Sequence, residues 1–153
     1  MLLSPHLSVH FKAEMQAQVE PGIKKSELNA LLEPEGLLFG PDPASNPSVG
    51  GMASTRGSGL STLMYGTTAE NVVTLKVVTP EGKLVQTRRR VRKSSTGYEM
   101  TQLYVGSEGT LGIIVELTLK LRTIPKVRCG GKKFQCSIIC HLSFFIRRIR
   151  YDV

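Results

Sequence analysis

The chain of 153 residues is long enough for one domain with a hydrophobic core, and its 41% apolar and 21% charged residues are typical of a soluble globular protein. The formal net charge of +8 would suit a nucleic-acid-binding protein, but residues 1–87 carry six basic and eight acidic residues, and the excess lies at 88–93 and 120–153. These basic residues are not interleaved with aromatic or polar side chains that could stack on bases or form hydrogen bonds with them. We therefore expect no nucleic-acid partner.

Cysteine and hydropathy patterns exclude further classes of protein. Cys129, Cys136 and Cys140 are odd in number and confined to the C-terminal part, so they predict no disulfide framework, and their spacing with His141 is a poor match to a structural zinc site. No run reaches the ~18–20 apolar residues of a membrane span. We therefore expect no transmembrane segment and no metal site.

The first elements in the chain are a strand and a helix. Residues 16–20 predict a strand that ends in a turn at 21–22. The sequence from Lys24 to Gly36 predicts a short amphipathic helix that begins with Ser26 as N-cap and is ended by Pro34. Its predicted buried face consists of Leu28, Leu31 and Leu32.

A glycine-rich stretch at 41–66 follows, with many Ser, Thr and Pro residues and few side chains large enough for a core. Glycine allows the backbone to approach a ligand closely, and exposed N–H groups in such loops attract anions. The stretch therefore predicts a backbone-lined cradle for a flat or phosphorylated ligand. An ordinary surface loop is the alternative, although irregular loops longer than about 12–15 residues usually have a function.

Strands dominate the next segment. Residues 71–79 and 83–87 predict a hairpin around the turn at 80–82, followed by a solvated basic loop at 88–93. Residues 98–104 predict a short helix with Leu103, Tyr104 and Val105 buried. A second glycine-rich turn at 106–112 leads into a strand at 113–121, whose odd-numbered residues form one apolar face. This order of elements indicates an α+β fold.

The character of the sequence changes after Pro125. Residues 126–153 are basic, contain every cysteine and show no clear period. We interpret them as a tail that is unstructured or non-homologous, with an amphipathic membrane-surface helix as the alternative.

Several segments in this order and spacing resemble the FAD-binding PCMH-type domain of the vanillyl-alcohol oxidase superfamily, and within it the mitochondrial cytochrome-dependent D-lactate dehydrogenases. The resemblance covers residues 16–125. The segments are PDP at 41–43, SVGGMA at 48–53, TRGSG at 55–59 with YGT at 65–67, RKSSTGY at 92–98 and GSEGTLGII at 106–114.

The resemblance implies part of an α+β flavin-binding fold, its second subdomain, with a mixed or antiparallel sheet and flanking helices. It also implies FAD as cofactor and three groups of residues that contact it, with Val49 beside the flavin ring. The implied cofactor-binding residues are Asp42, Pro43, Ala44, Ser45, Asn46, Pro47, Ser48, Gly50 and Gly51; Thr55, Arg56, Gly57 and Ser58; and Glu108, Gly109, Thr110, Leu111, Gly112, Ile113 and Ile114.

Two departures from the family pattern shape the expected function. Members carry a glycine-rich pyrophosphate loop before the strand at 16–20, and residues 1–15 hold none, so we interpret them as an N-terminal remnant. Members also continue into a cap domain with the substrate-binding residues and metal-ligating histidines. His6, His10 and His141 lie in no such context, so we assign no catalytic residue and no metal ligand.

The expected function is the FAD-binding portion of a mitochondrial D-2-hydroxyacid dehydrogenase, acting on D-lactate and passing electrons to cytochrome c. We expect the chain alone to be inactive. An alkylglycerone-phosphate-synthase-like or glycolate-oxidase-like flavoprotein domain is one alternative. A non-catalytic module that binds an anionic partner through residues 88–93 is another.

Overall fold

The structure is a computed structural model that describes residues 7–8, 15–89, 91, 95 and 97–125. Its main feature is a five-stranded antiparallel sheet in the order β1-β2-β6-β4-β5, with a small second sheet formed by β3 and β7. The strands are β1 Leu7–Ser8, β2 Gln16–Val19, β3 Leu37–Leu38, β4 Val72–Val78, β5 Leu84–Gln86, β6 Ile113–Lys120 and β7 Arg122–Thr123.

Among the described residues, five short helices accompany the sheets, and they confirm the predicted α+β class. The helices are α1 Lys25–Leu32, followed by a 3-10 turn at Glu33–Glu35, then α2 Val49–Ser54, α3 Thr62–Tyr65, α4 Thr68–Asn71 and α5 Met100–Tyr104. One hydrophobic core joins α1, α2, α4 and α5 to the sheet, with Leu28 and Leu32 from α1, Met52 from α2 and Leu117 from β6 all fully buried.

Helix α1 begins two residues earlier than a Ser26 cap would require, so that prediction is wrong. Lys24 is the N-cap residue, and the amide of Ser26 donates to Asn46 Oδ1 at 3.0 Å while the amide of Lys25 donates to the carbonyl of Pro47 at 3.2 Å. These loop residues satisfy amides of the first turn that a local cap would otherwise satisfy. Leu31 is 52% exposed, so it does not belong to the buried face.

The glycine-rich stretch at 41–66 is not the irregular loop that its composition predicts, because α2 and α3 lie within it. Glycine disfavours helix, but α2 is stabilised by the Ser48 hydroxyl, which accepts from the amide of Gly51 at 3.2 Å, and by burial of three apolar side chains. These are Val49, Met52 and Ala53.

A β-bulge in the β4–β6 pairing divides β6 into two halves. The register passes from Lys76↔Glu116 to Val77↔Ile114, which leaves Val115 without a partner. An inserted residue turns the following side chains to the opposite face. Leu117 and Leu119 are therefore buried, but Ile113 is 68% exposed and Ile114 packs on the core instead. The predicted single apolar face is wrong in the first half of this strand.

The other predicted elements are close to those observed. The hairpin of β4 and β5 is confirmed, as is α5, where Tyr104 and Val105 are buried but Leu103 is 55% exposed and was wrongly assigned to the core. The cysteines, the three histidines, the tail at 126–153 and most of the N-terminal remnant at 1–15 lie outside the described residues.

Candidate functional site

The two glycine-rich segments meet in one open cleft of about 520 Å³ at one end of the main sheet, where β2 ends and β6 begins. Three pieces of chain form its walls: the turn after β2, helix α2 and the turn before β6. The lining residues are Pro21, Gly22, Ser48, Gly50, Gly51, Ser54, Thr55, Glu108, Gly109, Gly112, Ile113 and Ile114.

The first wall depends on close packing between α2 and the turn after β2. The amide of Gly50 donates to the carbonyl of Pro21 at 2.9 Å, and the amide of Val49 donates to the carbonyl of Ile23 at 2.8 Å. A Cβ on Gly50 would lie 2.4 Å from Pro21 Cβ, well inside van der Waals contact. Glycine is therefore required at position 50 for α2 to approach this turn.

The second wall is attached to the end of α2. The amide of Gly106 donates to the carbonyl of Ala53 at 2.9 Å, and the amide of Glu108 donates to the carbonyl of Ser54 at 3.0 Å. These two bonds supply partners to carbonyls in the last turn of the helix. The carbonyl of Ala53 also accepts from the amide of Arg56 at 3.3 Å. Residues about fifty positions apart in sequence are thereby fixed side by side.

The turn itself has an unusual backbone at two successive residues, one of them a glycine. Glu108 and Gly109 both have positive φ, of 50° and 81°, and the amide of Thr110 donates to the carbonyl of Ser107 at 3.0 Å. Gly112 then passes β4 so closely that a Cβ would lie 2.6 Å from Val77 Cγ1. The turn thus directs the chain into β6 and leaves Ile113 exposed at the rim of the cleft.

The cleft offers backbone more than side chains to a ligand. Among the described residues, neither the amide of Gly22 nor that of Gly109 donates to another protein group, and a Cβ at either position would meet open space. Backbone amides of this kind suit an anion or a polar ring edge, and Ile113 supplies apolar surface. Glu108 is the one titratable side chain among the described lining residues, so the arrangement suits binding rather than proton transfer.

Of the predicted cofactor-binding residues, the cleft brings together nine. They are Ser48, Gly50, Gly51, Thr55, Glu108, Gly109, Gly112, Ile113 and Ile114. Val49 is fully buried beneath them, so its predicted place beside a flavin ring is wrong.

The predicted residues of the 42–47 loop do not line the cleft, because several of them hold helix α1. Asp42 forms a salt bridge with Lys25, and Asn46 Nδ2 donates to Ser26 Oγ at 2.7 Å. The loop also contains Pro43, Ala44, Ser45 and Pro47.

The remaining predicted residues lie beside the cleft and not in its lining. Gly57 accepts at its carbonyl from the hydroxyl of Thr68 at 2.7 Å, and Arg56 Nη2 donates to Gln102 Oε1 at 3.4 Å. Ser58 and Leu111 are exposed, and the hydroxyl of Thr110 donates to the carbonyl of Ser107 at 2.6 Å.

Sequence reasoning missed Pro21, Gly22 and Ser54 as lining residues. The Pro-Gly pair was recognised only as a turn, and a turn says nothing about which distant helix will pack on it. Nothing in the sequence marks Ser54 as a site residue. It lines the cleft because α2 ends at this position.

Comparison with known proteins assigns the chain to a family. The FAD binding domain family matches residues 5–88, more than half of the chain. The chain belongs to that family. FAD is the cofactor of the family, which confirms the predicted resemblance.

Two relatives of the chain are cytochrome-type D-lactate dehydrogenases. The chain is 52% identical over 113 residues to the mitochondrial cytochrome-type D-lactate dehydrogenase of Arabidopsis thaliana, which covers 74% of this chain and 20% of that enzyme. It is 42% identical over 115 residues to the mitochondrial cytochrome-type D-lactate dehydrogenase 1 of Saccharomyces cerevisiae. This match covers 75% of this chain and 20% of that enzyme. The chain therefore spans about a fifth of the length of these curated relatives.

A solved structure of alkyldihydroxyacetonephosphate synthase shows the same fold, with a TM-score of 0.71 at 30% sequence identity. The match covers 80% of this chain and 22% of that structure's chain. Within the described residues no helix is both long and apolar enough to cross a bilayer, and no three metal-ligating side chains come together.

Proposed function

We propose that the cleft between α2 and the turn at 106–112 binds FAD, as part of a flavin-dependent D-2-hydroxyacid dehydrogenase that oxidises D-lactate. The observation that carries the proposal is the pair of bonds from Gly106 and Glu108 to the end of α2, which joins the two glycine-rich segments into one site in a chain of the FAD-binding family.

The residues present fit such a cofactor. A dinucleotide has anionic phosphates and a flat ring, and both need a backbone that comes close without intervening side chains. Gly22 and Gly109 leave open space where side chains would stand, and their amides are available to polar groups of the ligand. Ile113 supplies an apolar surface at the rim. When bound, FAD would supply the hydride-accepting chemistry, while these residues bind and orient it.

The assignment to the D-lactate branch depends on similarity to relatives. Identity to the two cytochrome-type D-lactate dehydrogenases is 52% and 42%, compared with 30% to the synthase structure. By the same reasoning we propose cytochrome c as the electron acceptor and the mitochondrion as the location. A synthase-like flavoprotein domain is the second candidate, because its solved structure superimposes on this chain.

Titration of the full chain with FAD tests the cleft. We expect saturable quenching of flavin fluorescence with a Kd below ~100 µM, equivalent to a binding free energy of about −5.5 kcal/mol or better. Gly22→Phe should abolish binding and preserve the fold, because the position opens into the cleft with nothing within 4 Å. Glu81→Leu, at a side chain 71% exposed in the β4–β5 turn, is the control that should bind normally.

The substrate is tested separately on the FAD-saturated protein and on a longer homologue with an equivalent cleft. In the longer homologue, D-lactate should bleach the flavin absorbance, and glycolate should do so more slowly. The chain alone, which we expect to be inactive, should keep the absorbance of the oxidised flavin. If Gly22→Phe binds FAD as tightly as the unaltered chain, the cleft is not the site. If FAD binds but D-lactate never reduces it in either protein, the branch assignment is wrong and the cleft assignment remains.

A further inference from the structure

We propose that a second cavity, at the other end of the main sheet, binds a small organic anion through Arg88 and Arg122. The cavity has a volume of about 750 Å³, and we refer to it as the arginine cavity. Its walls include Val72, Leu121 and Met15, and Lys120 adds a third cation. This inference goes beyond the proposed FAD site.

The arginine cavity is separate from the glycine cleft. Ile113 at the start of β6 lines the cleft, whereas Lys120 at the end of the same strand lines the arginine cavity. Seven residue steps along a strand correspond to ~23 Å. The two cavities also share no lining residue, so one ligand group cannot occupy both positions at once.

Both arginines carry hydrogen-bond donors that no described group accepts. The Nε atom of Arg122 is buried without a partner, and its guanidinium forms no ion pair with any described carboxylate. Arg88 is held by Glu99 Oε2 at 3.3 Å from Nη1 and by the carbonyl of Val91 at 3.0 Å from Nη2, but its buried Nε also has no partner. A guanidinium does not lose its proton, and unpaired buried donors are rare.

The charge around the cavity also favours an anion. Three cations line it, and Glu70 is the one acidic residue among its described lining residues. The carboxylate of Glu70 is already engaged, because its Oε2 accepts from the amide of Thr67 at 2.7 Å. An anion in the cavity, beside these guanidinium groups, would offset the excess positive charge.

The shape and the walls of the cavity specify the ligand class. Guanidinium groups bind carboxylate and phosphate in a planar, two-pronged geometry that an ammonium cannot reproduce. A volume of about 750 Å³ is far larger than a bare ion and lies in the range of small-molecule sites. Valine, leucine and methionine residues line most of the rest, together with Tyr65, Pro125, Gln16 and Thr123. The geometry therefore suits a carboxylate or phosphate attached to an apolar body.

The probes are benzoate and phenyl phosphate, with neutral benzamide and inorganic phosphate as comparisons, titrated into the isotope-labelled full chain and followed by amide NMR. We expect the two organic anions to shift the signals of Val72, Val73 and Leu121 but not those of Gly109 and Ile113. Benzamide should bind at least tenfold more weakly than benzoate. Inorganic phosphate should bind at least threefold more weakly than phenyl phosphate.

Arg122→Gln should weaken benzoate binding at least tenfold, and Arg122→Lys should not restore it fully because lysine lacks the guanidinium fork. Lys83→Gln removes the same charge at a side chain 75% exposed and distant from the cavity, and it should leave the Kd unchanged. Saturating FAD should not displace phenyl phosphate.

The proposal is overturned if benzamide binds as tightly as benzoate, if Lys83→Gln and Arg122→Gln weaken binding equally, or if the shifted signals map to the glycine cleft. Should Arg122→Gln fail to fold, the signal map of the unaltered chain decides between the two cavities. If inorganic phosphate binds as tightly as phenyl phosphate, the ligand needs no apolar body, and that part of the proposal is wrong.

Discussion

Substitution of Gly50 by alanine is the sharpest test of how the first wall of the cleft is built. A Cβ at this position would lie 2.4 Å from Pro21 Cβ and 2.9 Å from Pro21 O. Carbon atoms pack at ~3.5–4.0 Å, so α2 or the proline turn would have to move by more than ~1 Å. The displacement would also lengthen the bond from the amide of Gly50 to the carbonyl of Pro21, now 2.9 Å.

The magnitude follows from three contributions. Overpacking a rigid contact costs about 1–3 kcal/mol, and loss of a backbone hydrogen bond costs about 1 kcal/mol. Replacing glycine by alanine in a helix returns up to about 1 kcal/mol. The net expectation for Gly50→Ala is a loss of ~1–3 kcal/mol in the free energy of unfolding.

The adjacent Gly51→Ala variant is the matched control. Its new Cβ would meet only Ser48 Oγ, at 3.1 Å, and the position is exposed. The gain in helix propensity is similar for both variants, so the difference between them isolates the packing against Pro21. Gly51→Ala should be within ~0.5 kcal/mol of the unaltered chain, or more stable by up to ~1 kcal/mol.

Urea denaturation followed by far-UV circular dichroism measures both variants under identical conditions. A lower midpoint with an unchanged slope would show that stability itself has changed. If Gly50→Ala is as stable as Gly51→Ala, the close approach of α2 to the proline turn does not exist as described.

Two further substitutions test buried contacts by the same denaturation assay. Asn71 is fully buried, and its Nδ2 donates to the carbonyls of Tyr65 and Thr67, both at 2.8 Å. Asn71→Asp should cost ~3–5 kcal/mol, because a carboxylate would face two carbonyl oxygens, and a loss below ~1 kcal/mol would contradict this account. Gly112→Ala should cost ~1–3 kcal/mol, because its Cβ would lie 2.6 Å from Val77 Cγ1, and an unchanged midpoint would refute that contact.

Local chemistry made part of this fold predictable. The hairpin of β4 and β5 could be assigned from sequence because β-branched alternation and a Pro-Glu-Gly turn act within a few residues. The end of the helical segment formed by α1 and the 3-10 turn could also be predicted, since Gly36 follows that turn in the left-handed conformation, with φ of 69°, that glycine adopts readily.

The predictions were wrong where contacts with residues far away in the chain, and not the local sequence, determined the structure. Ser26 has the chemistry of an N-cap, but Asn46, twenty positions away, accepts from its amide and allows α1 to begin earlier. The glycines of α2 disfavour helix, but burial of Val49 and Met52 and capping by the turn at 106–108 outweigh that preference. The bulge at Val115 depends on the register with β4, which no pattern within one strand encodes.

The sequence by itself determined the strands β2 and β6, the hairpin of β4 and β5, and the resemblance to FAD-binding domains, because each of these depends on residue type and spacing along the chain. Only the tertiary structure decided which predicted residues share the cleft, since Asp42 and Asn46 proved to hold α1 while Gly22 joined the lining. It alone also placed Arg88 and Arg122 in one cavity, because strand pairing brings together residues that are far apart in the chain.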